Sequence, residues 1–232
     1  AWQRGQNLFM IFGALAGARE VVMIDSHGGV RRESRFDLLA GAPAAIANEA
    51  VTGLTDLLFS RRELSSLEHQ RHRLKKIKTD GAPRIVYLRS TPGPGTQAGG
   101  AASHIKGVVE GLTALGSEVE IISNDAIAGF DMSKYRSTIV PPETVGATRA
   151  LFDIHNNLVF TRAAVPLIEQ STPDFIYQRY ARFSWAGVVG AARVQRPLFL
   201  EYNGSEVWVG RHWDHVGSLD LLERYERLNL RA

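Results

Sequence analysis

Short apolar runs alternate with helical apolar stripes from residue 84 onward. The runs have the length and composition of buried strands and lie at 85–88, 119–123, 175–177 and 198–202. The stripes have apolar residues at helical spacing and lie at 105–115, 148–170, 185–193 and 219–231. This alternation predicts an α/β fold, with helices covering a parallel sheet.

The first 80 residues follow a different pattern. Residues 20–36 predict a β-hairpin, and apolar residues at helical spacing predict a long helix over about 43–78. A cluster of turn-forming residues at 79–83 then precedes the first strand of the alternating region. We therefore expect a small hairpin-plus-helix extension at residues 1–80 and an α/β domain at residues 81–232.

Composition and charge exclude several classes of function. The chain is 44% hydrophobic and has no cysteine, which excludes disulfides, thiolate metal sites and cysteine nucleophiles. Residues 1–80 hold 12 Lys+Arg against 9 Asp+Glu, whereas residues 81–232 hold 15 of each. Because neutralised phosphates supply most of the affinity for duplex nucleic acid, a neutral α/β domain indicates no nucleic-acid partner. The absence of cysteine is compatible with a reducing cytoplasm, and we expect a cytoplasmic protein. The apolar stretch at 8–18 is shorter than the about 20 residues of a membrane-spanning helix.

A basic stretch at 71–78 ends the predicted long helix. It contains five cationic side chains and no acidic one. It is either the solvated end of a helix or a patch that contacts anionic lipid headgroups, since each Lys or Arg near a membrane contributes about 1 kcal/mol. The second interpretation predicts peripheral contact with the inner face of the membrane.

A glycine-rich loop at 90–104 joins the first strand of the α/β domain to its first helix. Ligands of parallel sheets bind at this edge, where a helix N-terminus offers N–H groups to an anion. Residues 93–98 match the dinucleotide fingerprint G-x-G-x-x-A, but Gly99 and Gly100 postpone the helix. Asp125 also lies 30 residues after Gly95, farther than the about 20 that the fingerprint requires. An NAD-dependent oxidoreductase and a plain connecting loop both stay open.

Two motifs flank the first helix of the α/β domain. Gly99-Gly100-Ala-Ala-Ser-His104 precedes it, and Leu115-Gly116-Ser-Glu-Val119 follows it. With the surrounding strands they resemble the opening of family 4 glycosyltransferases, which reads strand, G-G-x-x-x-H, helix, L-x-x-x-G-H-x-V. The departure is Ser117-Glu118, where the family usually has His. The similarity continues through 173–180 and 196–208 and spans roughly residues 84–232.

The resemblance implies the N-terminal, acceptor-side half of a retaining GT-B glycosyltransferase with a Rossmann-like sheet. Such an enzyme transfers a sugar from a nucleotide-sugar donor to a glycan, lipid or small-molecule acceptor, without a further cofactor. Gly99, Gly100 and His104 would face the donor diphosphate. The half that holds most of the donor is expected beyond residue 232, so we expect the 232-residue chain alone to be inactive.

The resemblance leaves the catalytic residue unassigned. Relatives often carry a histidine after the strand equivalent to 198–202, and this chain has Asn203 there. Asparagine can bond a sugar hydroxyl but cannot shuttle a proton, so Glu201 and Glu206 are the groups that can titrate. The catalytic candidates are therefore Asn203, Glu201 and Glu206.

Acceptor binding is predicted for side chains after the strand at 175–177. Arg179 and Arg182 suit an anionic or sugar acceptor through forked hydrogen bonds, and Tyr180 suits it through stacking. The acceptor-binding candidates are Arg179, Tyr180, Arg182 and Asn203. A run of aromatic residues resembles a carbohydrate platform or, alternatively, core packing, and consists of Trp208, His212, Trp213 and His215.

Two further expectations complete the sequence prediction. The histidines of the aromatic run have no third ligand at metal spacing, so we expect no metal site. The alternative without catalysis is an interaction module at residues 1–80, fused to an inert α/β domain.

Overall fold

The computed structural model describes residues 6–24, 29–69, 81–91, 99–143 and 148–232. The helices are α1 (Gln6–Leu15), α2 (Arg35–Glu68), α3 (Gly100–Ala114), α4 (Arg149–Ser171), α5 (Ala186–Val194), α6 (Glu206–His212) and α7 (Leu219–Arg231). The strands are β1 (Glu20–Ile24), β2 (Val30–Ser34), β3 (Arg84–Arg89), β4 (Glu118–Ser123), β5 (Arg136–Ile139), β6 (Phe175–Arg179) and β7 (Leu198–Glu201). A short 3₁₀ helix precedes β5.

Five parallel strands form the main sheet in the order β5-β4-β3-β6-β7. Tyr87 of β3 lies opposite Ile121 of β4 on one side and Tyr177 of β6 on the other. Numbered along the chain, the strands of this sheet lie in the order 3-2-1-4-5, which is the order of the Rossmann fold. The order reverses between β3 and β6, and ligands of such sheets bind outside the carboxyl ends of the strands at that point.

The two faces of the sheet are covered by different helices. Ile85 and Tyr87 of β3 belong to an apolar cluster with α3, whereas Val86 and Leu88 belong to a cluster with α4 and α5. This division follows from the alternation of side chains along a strand. The predicted fold class is confirmed: a Rossmann-like α/β unit with flanking helices follows a small hairpin and helix.

The long helix α2 packs on the outer side of α4 and α7. Its Leu64 and Leu67 share an apolar cluster with Trp185 and Tyr225. The Tyr225 hydroxyl also donates to the backbone carbonyl of Ser60 at 2.9 Å. The last turns of α2 therefore belong to the interior of the Rossmann-like unit, although the sequence places them in the predicted extension at residues 1–80.

The bounds of α2 differ from the prediction. The helix begins at Arg35 instead of about residue 43, because the Ser34 hydroxyl accepts from the Asp37 N–H at 3.2 Å and caps the N-terminus. Pro43, which the prediction took as the start, lies inside the helix. The helix ends at Glu68, and the basic stretch at 71–78 lies outside the described residues.

Other elements either match the prediction or add to it. The hairpin is formed by β1 and β2, and Gly116 has the left-handed φ of +87° that a glycine after a helix supplies. Helices α1 and α6 and strand β5 were not predicted. Strand β5 has the sequence Arg-Ser-Thr-Ile and lies at the edge of the sheet, so it carries no buried apolar run.

Two glycine substitutions are expected to have opposite effects on stability. The Gly187 N–H donates to Gln178 Oε1 at 2.6 Å, and an added Cβ would lie 2.5 Å from that oxygen and 2.9 Å from Leu198 Cδ1. Gly187→Ala should lower the free energy of unfolding by about 1–3 kcal/mol through overpacking. Gly107→Ala, in an exposed turn of α3 with open space around it, should raise it by about 0.5–1 kcal/mol. Urea unfolding measures both, and equal effects would contradict the packing described for α5.

Candidate functional site

Four of the residues predicted to form the site meet at the carboxyl edge of the sheet, around Glu201. The Glu201 side chain, at the end of β7, is 8% exposed. Its Oε1 lies 3.1 Å from His104 Nε2 and 2.8 Å from Asn203 Nδ2, and it accepts a hydrogen bond from Arg179 Nη1. One carboxylate therefore joins α3, β6 and the loop after β7.

Strand register explains why Arg179 and Glu201 meet. They are direct partners in the parallel ladder between β6 and β7, and the Tyr180 N–H extends the ladder by donating to the Glu201 carbonyl at 3.0 Å. A carboxylate shielded from water requires a counter-charge and hydrogen-bond donors. Arg179 supplies the counter-charge, so its guanidinium is committed to Glu201 before any acceptor arrives.

The N-terminus of α3 lies beside this cluster. Gly99 precedes the helix in an extended conformation, and no side chain of the described residues caps it. A Cβ added to Gly100 would meet no described atom within 4 Å. His104 follows one turn later and is half exposed, with its ring against Glu201. The first N–H groups of α3 and the half-exposed His104 therefore offer donors to an anion.

Two tyrosines of the sheet face that α3 covers belong to this region, and the sequence analysis did not identify them as site residues. The rings of Tyr87 and Tyr177 stack with centroids 5.3 Å apart on the face covered by α3. Burial raises the pKa of the Tyr87 hydroxyl well above its usual range, and the Glu201 carboxylate raises it further. Burial and Glu201 act on the pKa of Tyr177 in the same direction. Both phenols therefore keep their protons at neutral pH.

Two buried polar atoms of this region have no hydrogen-bond partner among the described residues. They are the Tyr87 hydroxyl and Glu201 Oε2. Buried polar atoms are nearly always bonded to protein, water or ligand. A small polar molecule that reached them would find one hydroxyl group and one carboxylate oxygen to bond. The aromatic pair would have been recognisable from the sequence only once the register of β3 and β6 was known.

The carboxyl ends of β3 and β4 are held by a separate network. The buried Arg89 donates to Ser123 Oγ at 3.1 Å and to Asp125 Oδ1. The Asn124 side chain bonds both backbone groups of Thr91, at 3.1 and 2.8 Å, and fixes the start of the glycine-rich loop. The carboxylate of Asp125, the acid weighed for a dinucleotide ribose, is therefore engaged by Arg89.

Arg182 does not lie at the cleft, contrary to the prediction. It is 2% exposed, and its guanidinium donates to Asp153 Oδ2 at 2.7 Å and to Asp214 Oδ2 at 2.9 Å. A buried cation is stable only when anions surround it. These two carboxylates meet that need and leave Arg182 out of reach of an acceptor.

Tyr180 and Glu206 belong to a second carboxylate cluster, around Glu226 of α7. The buried Tyr180 hydroxyl lies 3.4 Å from Glu226 Oε2, and the Glu206 N–H donates to the same oxygen at 2.8 Å. Tyr202 and Ser205 donate to Glu226 Oε1 at 3.1 and 2.6 Å. Glu226 thus satisfies the first N–H groups of α6, and Tyr180 serves the interior instead of stacking on an acceptor.

The aromatic run lies on the surface of α6. Trp208 is 47% exposed and Trp213 is 74% exposed, so neither is core packing. The Trp208 ring stacks on His212 at 4.7 Å and meets the edge of Trp213 at 4.9 Å. His215 is exposed as well. The carbohydrate platform stays a prediction for these side chains.

Comparisons with known proteins add little to this geometry. No family model and no curated protein matches the chain. A similar solved structure is the C-terminal domain of a hydrogenase from Pyrococcus furiosus, with 11% identity and a TM-score of 0.42, covering 56% of this chain and 94% of that one. The functional assignment therefore rests on the residues of the site.

The Arg179–Glu201 pair is expected to matter for stability. Arg179→Met leaves the Glu201 carboxylate shielded from water without its counter-charge and should lower the free energy of unfolding by about 2–3 kcal/mol. Adding Glu201→Leu to that variant should recover part of the loss. Arg211→Met is the matched control, because Arg211 pairs with Glu223 at 3.2 Å on the surface, and it should change stability by less than about 1 kcal/mol.

Urea unfolding of the three variants tests this ranking. Equal losses for Arg179→Met and Arg211→Met would show that Glu201 does not need its partner.

Proposed function

We propose that the chain is the acceptor-side half of a GT-B glycosyltransferase that takes a nucleotide-sugar as donor and acts with retention. The observation that carries this proposal is the cluster of His104, Arg179 and Asn203 around Glu201, next to Gly99 and Gly100. Residues that the family resemblance marks from three separate segments converge on one edge of the sheet. That edge is where Rossmann-like folds bind ligands.

The donor diphosphate would lie against the N-terminus of α3. Gly99 and Gly100 have no side chains there, so a phosphate can approach the backbone N–H groups closely. The partial positive charge of the helix end favours the anion. Since Glu201 already neutralises Arg179, these N–H groups and the half-exposed His104 ring supply most of the attraction for the diphosphate.

The acceptor would meet Glu201 from the open side of the cluster. Asn203 is exposed and can bond a sugar hydroxyl, whereas the neighbouring Glu201 Oε2 is buried and has no partner among the described residues. Of the catalytic candidates, Glu201 is the titratable group that lies beside the α3 N-terminus. Glu206, in the first turn of α6, lies with the Glu226 cluster, which makes it the weaker candidate.

Three further parts of the proposal concern location and organisation. We propose a cytoplasmic enzyme with peripheral membrane contact through the basic stretch at 71–78, and residues 1–80 as an extension of the transferase domain at 81–232.

An NAD-dependent oxidoreductase is disfavoured for two reasons. The Asp125 carboxylate is bonded to Arg89, and α3 begins at Gly100, after the fingerprint at 93–98, which lies outside the described residues.

The glycine-rich loop provides the sharpest test of donor binding. In Gly100→Val the new Cβ meets no atom of the described residues within 4 Å, so the side chain should obstruct a ligand without disturbing the described packing. We expect the affinity for UDP-glucose or GDP-mannose to fall about tenfold or more, through lost hydrogen bonds to the α3 N-terminus. Saturation-transfer NMR with each nucleotide-sugar and with NADH measures this binding.

Gly107→Val is the matched control for this experiment. It makes the same change in the same helix, also into open space, but two turns away from the loop. It should leave nucleotide-sugar binding unchanged. Equal effects of the two variants, or stronger binding of NADH than of any nucleotide-sugar, would contradict the proposed function.

A further inference from the structure

Helices α1 and α2 carry a set of exposed apolar side chains, which we call the α1–α2 face. It consists of the exposed side chains of Phe9, Phe12, Leu15, Ile46, Val51, Leu54 and Leu58. Each of these side chains is between 50% and 74% exposed, and the two helices pack against each other. Exposed apolar patches of this extent mark interaction sites with proteins or membranes.

In the middle of α2, apolar side chains point outward and polar ones inward, opposite to the arrangement in an ordinary amphipathic helix, whereas Leu64 and Leu67 near its end are buried. Toward α4 the helix buries Gly53 and Asp56, with Asp56 Oδ2 2.6 Å from His155 Nδ1. Away from α4 it exposes Leu54 and Leu58. A surface helix usually buries its leucines and exposes its polar residues. The outward leucines are therefore not needed for packing against α4, and a function on the outer surface explains them.

Helix α2 has a long segment without exposed charge, followed by two exposed arginines. Between residues 41 and 59, all of which the structure describes, no exposed residue is charged, and the two acids of this range are half-buried (Glu49) or buried (Asp56). This uncharged band is roughly 27 Å long at the rise of an α-helix. Arg61 and Arg62 follow it and are exposed, and Arg61 also lies 4.0 Å from Asp220 Oδ2 in a solvent-exposed ion pair. An apolar band bordered by arginines suits a surface that enters the lipid headgroup region.

A groove runs between the two helices of the face and α4. Its volume is about 350 Å³, and it is lined by apolar side chains that include Leu8, Ile11, Phe12, Ile46 and Leu151. Glu49, which has partners within the protein, is the charged residue that borders it. The lining offers almost no hydrogen-bonding group, so the groove suits a hydrocarbon chain better than a polar peptide.

We propose that the α1–α2 face binds the surface of a lipid bilayer, with its apolar side chains among the acyl chains and Arg61 and Arg62 at anionic headgroups. The opposite side of α2 packs on α4 and α7, so the helix would lie on the bilayer. Among the described residues, no helix has the length and hydropathy to cross a membrane. This proposal depends neither on the proposed transferase activity nor on the basic stretch at 71–78.

Vesicle flotation tests the proposal. The 232-residue chain should float with phosphatidylcholine vesicles, and more strongly when they contain phosphatidylserine. Leu54→Gln/Leu58→Gln should reduce the partition coefficient about tenfold or more, because two large apolar side chains no longer enter the bilayer. Phe9→Gln/Phe12→Gln, on the other helix, should have a similar effect. Arg61→Gln/Arg62→Gln should remove much of the preference for phosphatidylserine.

The matched control is Leu115→Gln/Ile139→Gln, which replaces two exposed apolar residues of the Rossmann-like unit. It should float like the parent chain, and circular dichroism should show that every variant is folded. If the parent chain does not float, or if both glutamine variants of the face float as well as the parent chain, the proposal is wrong. A concentration-dependent dimer that the same variants abolish, without flotation, would assign the face to a second copy of the chain.

Discussion

Parallel pairing on both sides of β3 is the constraint on which the arrangement of the molecule depends. Because β3 pairs with β4 and β6 in the same direction, the carboxyl ends of all three strands open on one edge. The chain must leave β3 at this edge, and it does so through the glycine-rich loop into α3. Arg89, Arg179 and Glu201, the last residues of three strands, therefore lie along one border of the sheet.

The charged residues along this border have either a structural role or a role in the candidate site. Arg89, Arg182 and Glu226 are buried among their own partners and hold the loops in place. The Glu201 cluster differs, since His104 and Asn203 remain exposed enough to meet a ligand. A site needs both a fixed framework and accessible polar groups, and the Glu201 cluster combines them.

Sequence patterns predicted the local elements better than the site. The bounds of α7 and the glycine after α3 follow from local signals, whereas β5 has no apolar run and the start of α2 depends on a single serine cap. Arg179 and Arg182 look alike in the sequence, three residues apart after an apolar strand. Their different fates depend on Glu201 and on Asp153, each more than twenty residues away, and no local pattern contains that information.

The transferase and membrane proposals use separate surfaces, one at the carboxyl edge of the sheet and one on α1 and α2. The carboxyl edge is tested most directly by amide NMR of the ¹⁵N-labelled chain during titration with UDP-glucose and GDP-mannose. With the donor that the chain accepts, we predict that the largest shifts occur at Gly99, Gly100 and His104, at the N-terminus of α3. If neither ligand shifts these amides, or if the shifts cluster on α6 or on α2 instead, the N-terminus of α3 beside the Glu201 cluster is not the donor-binding site.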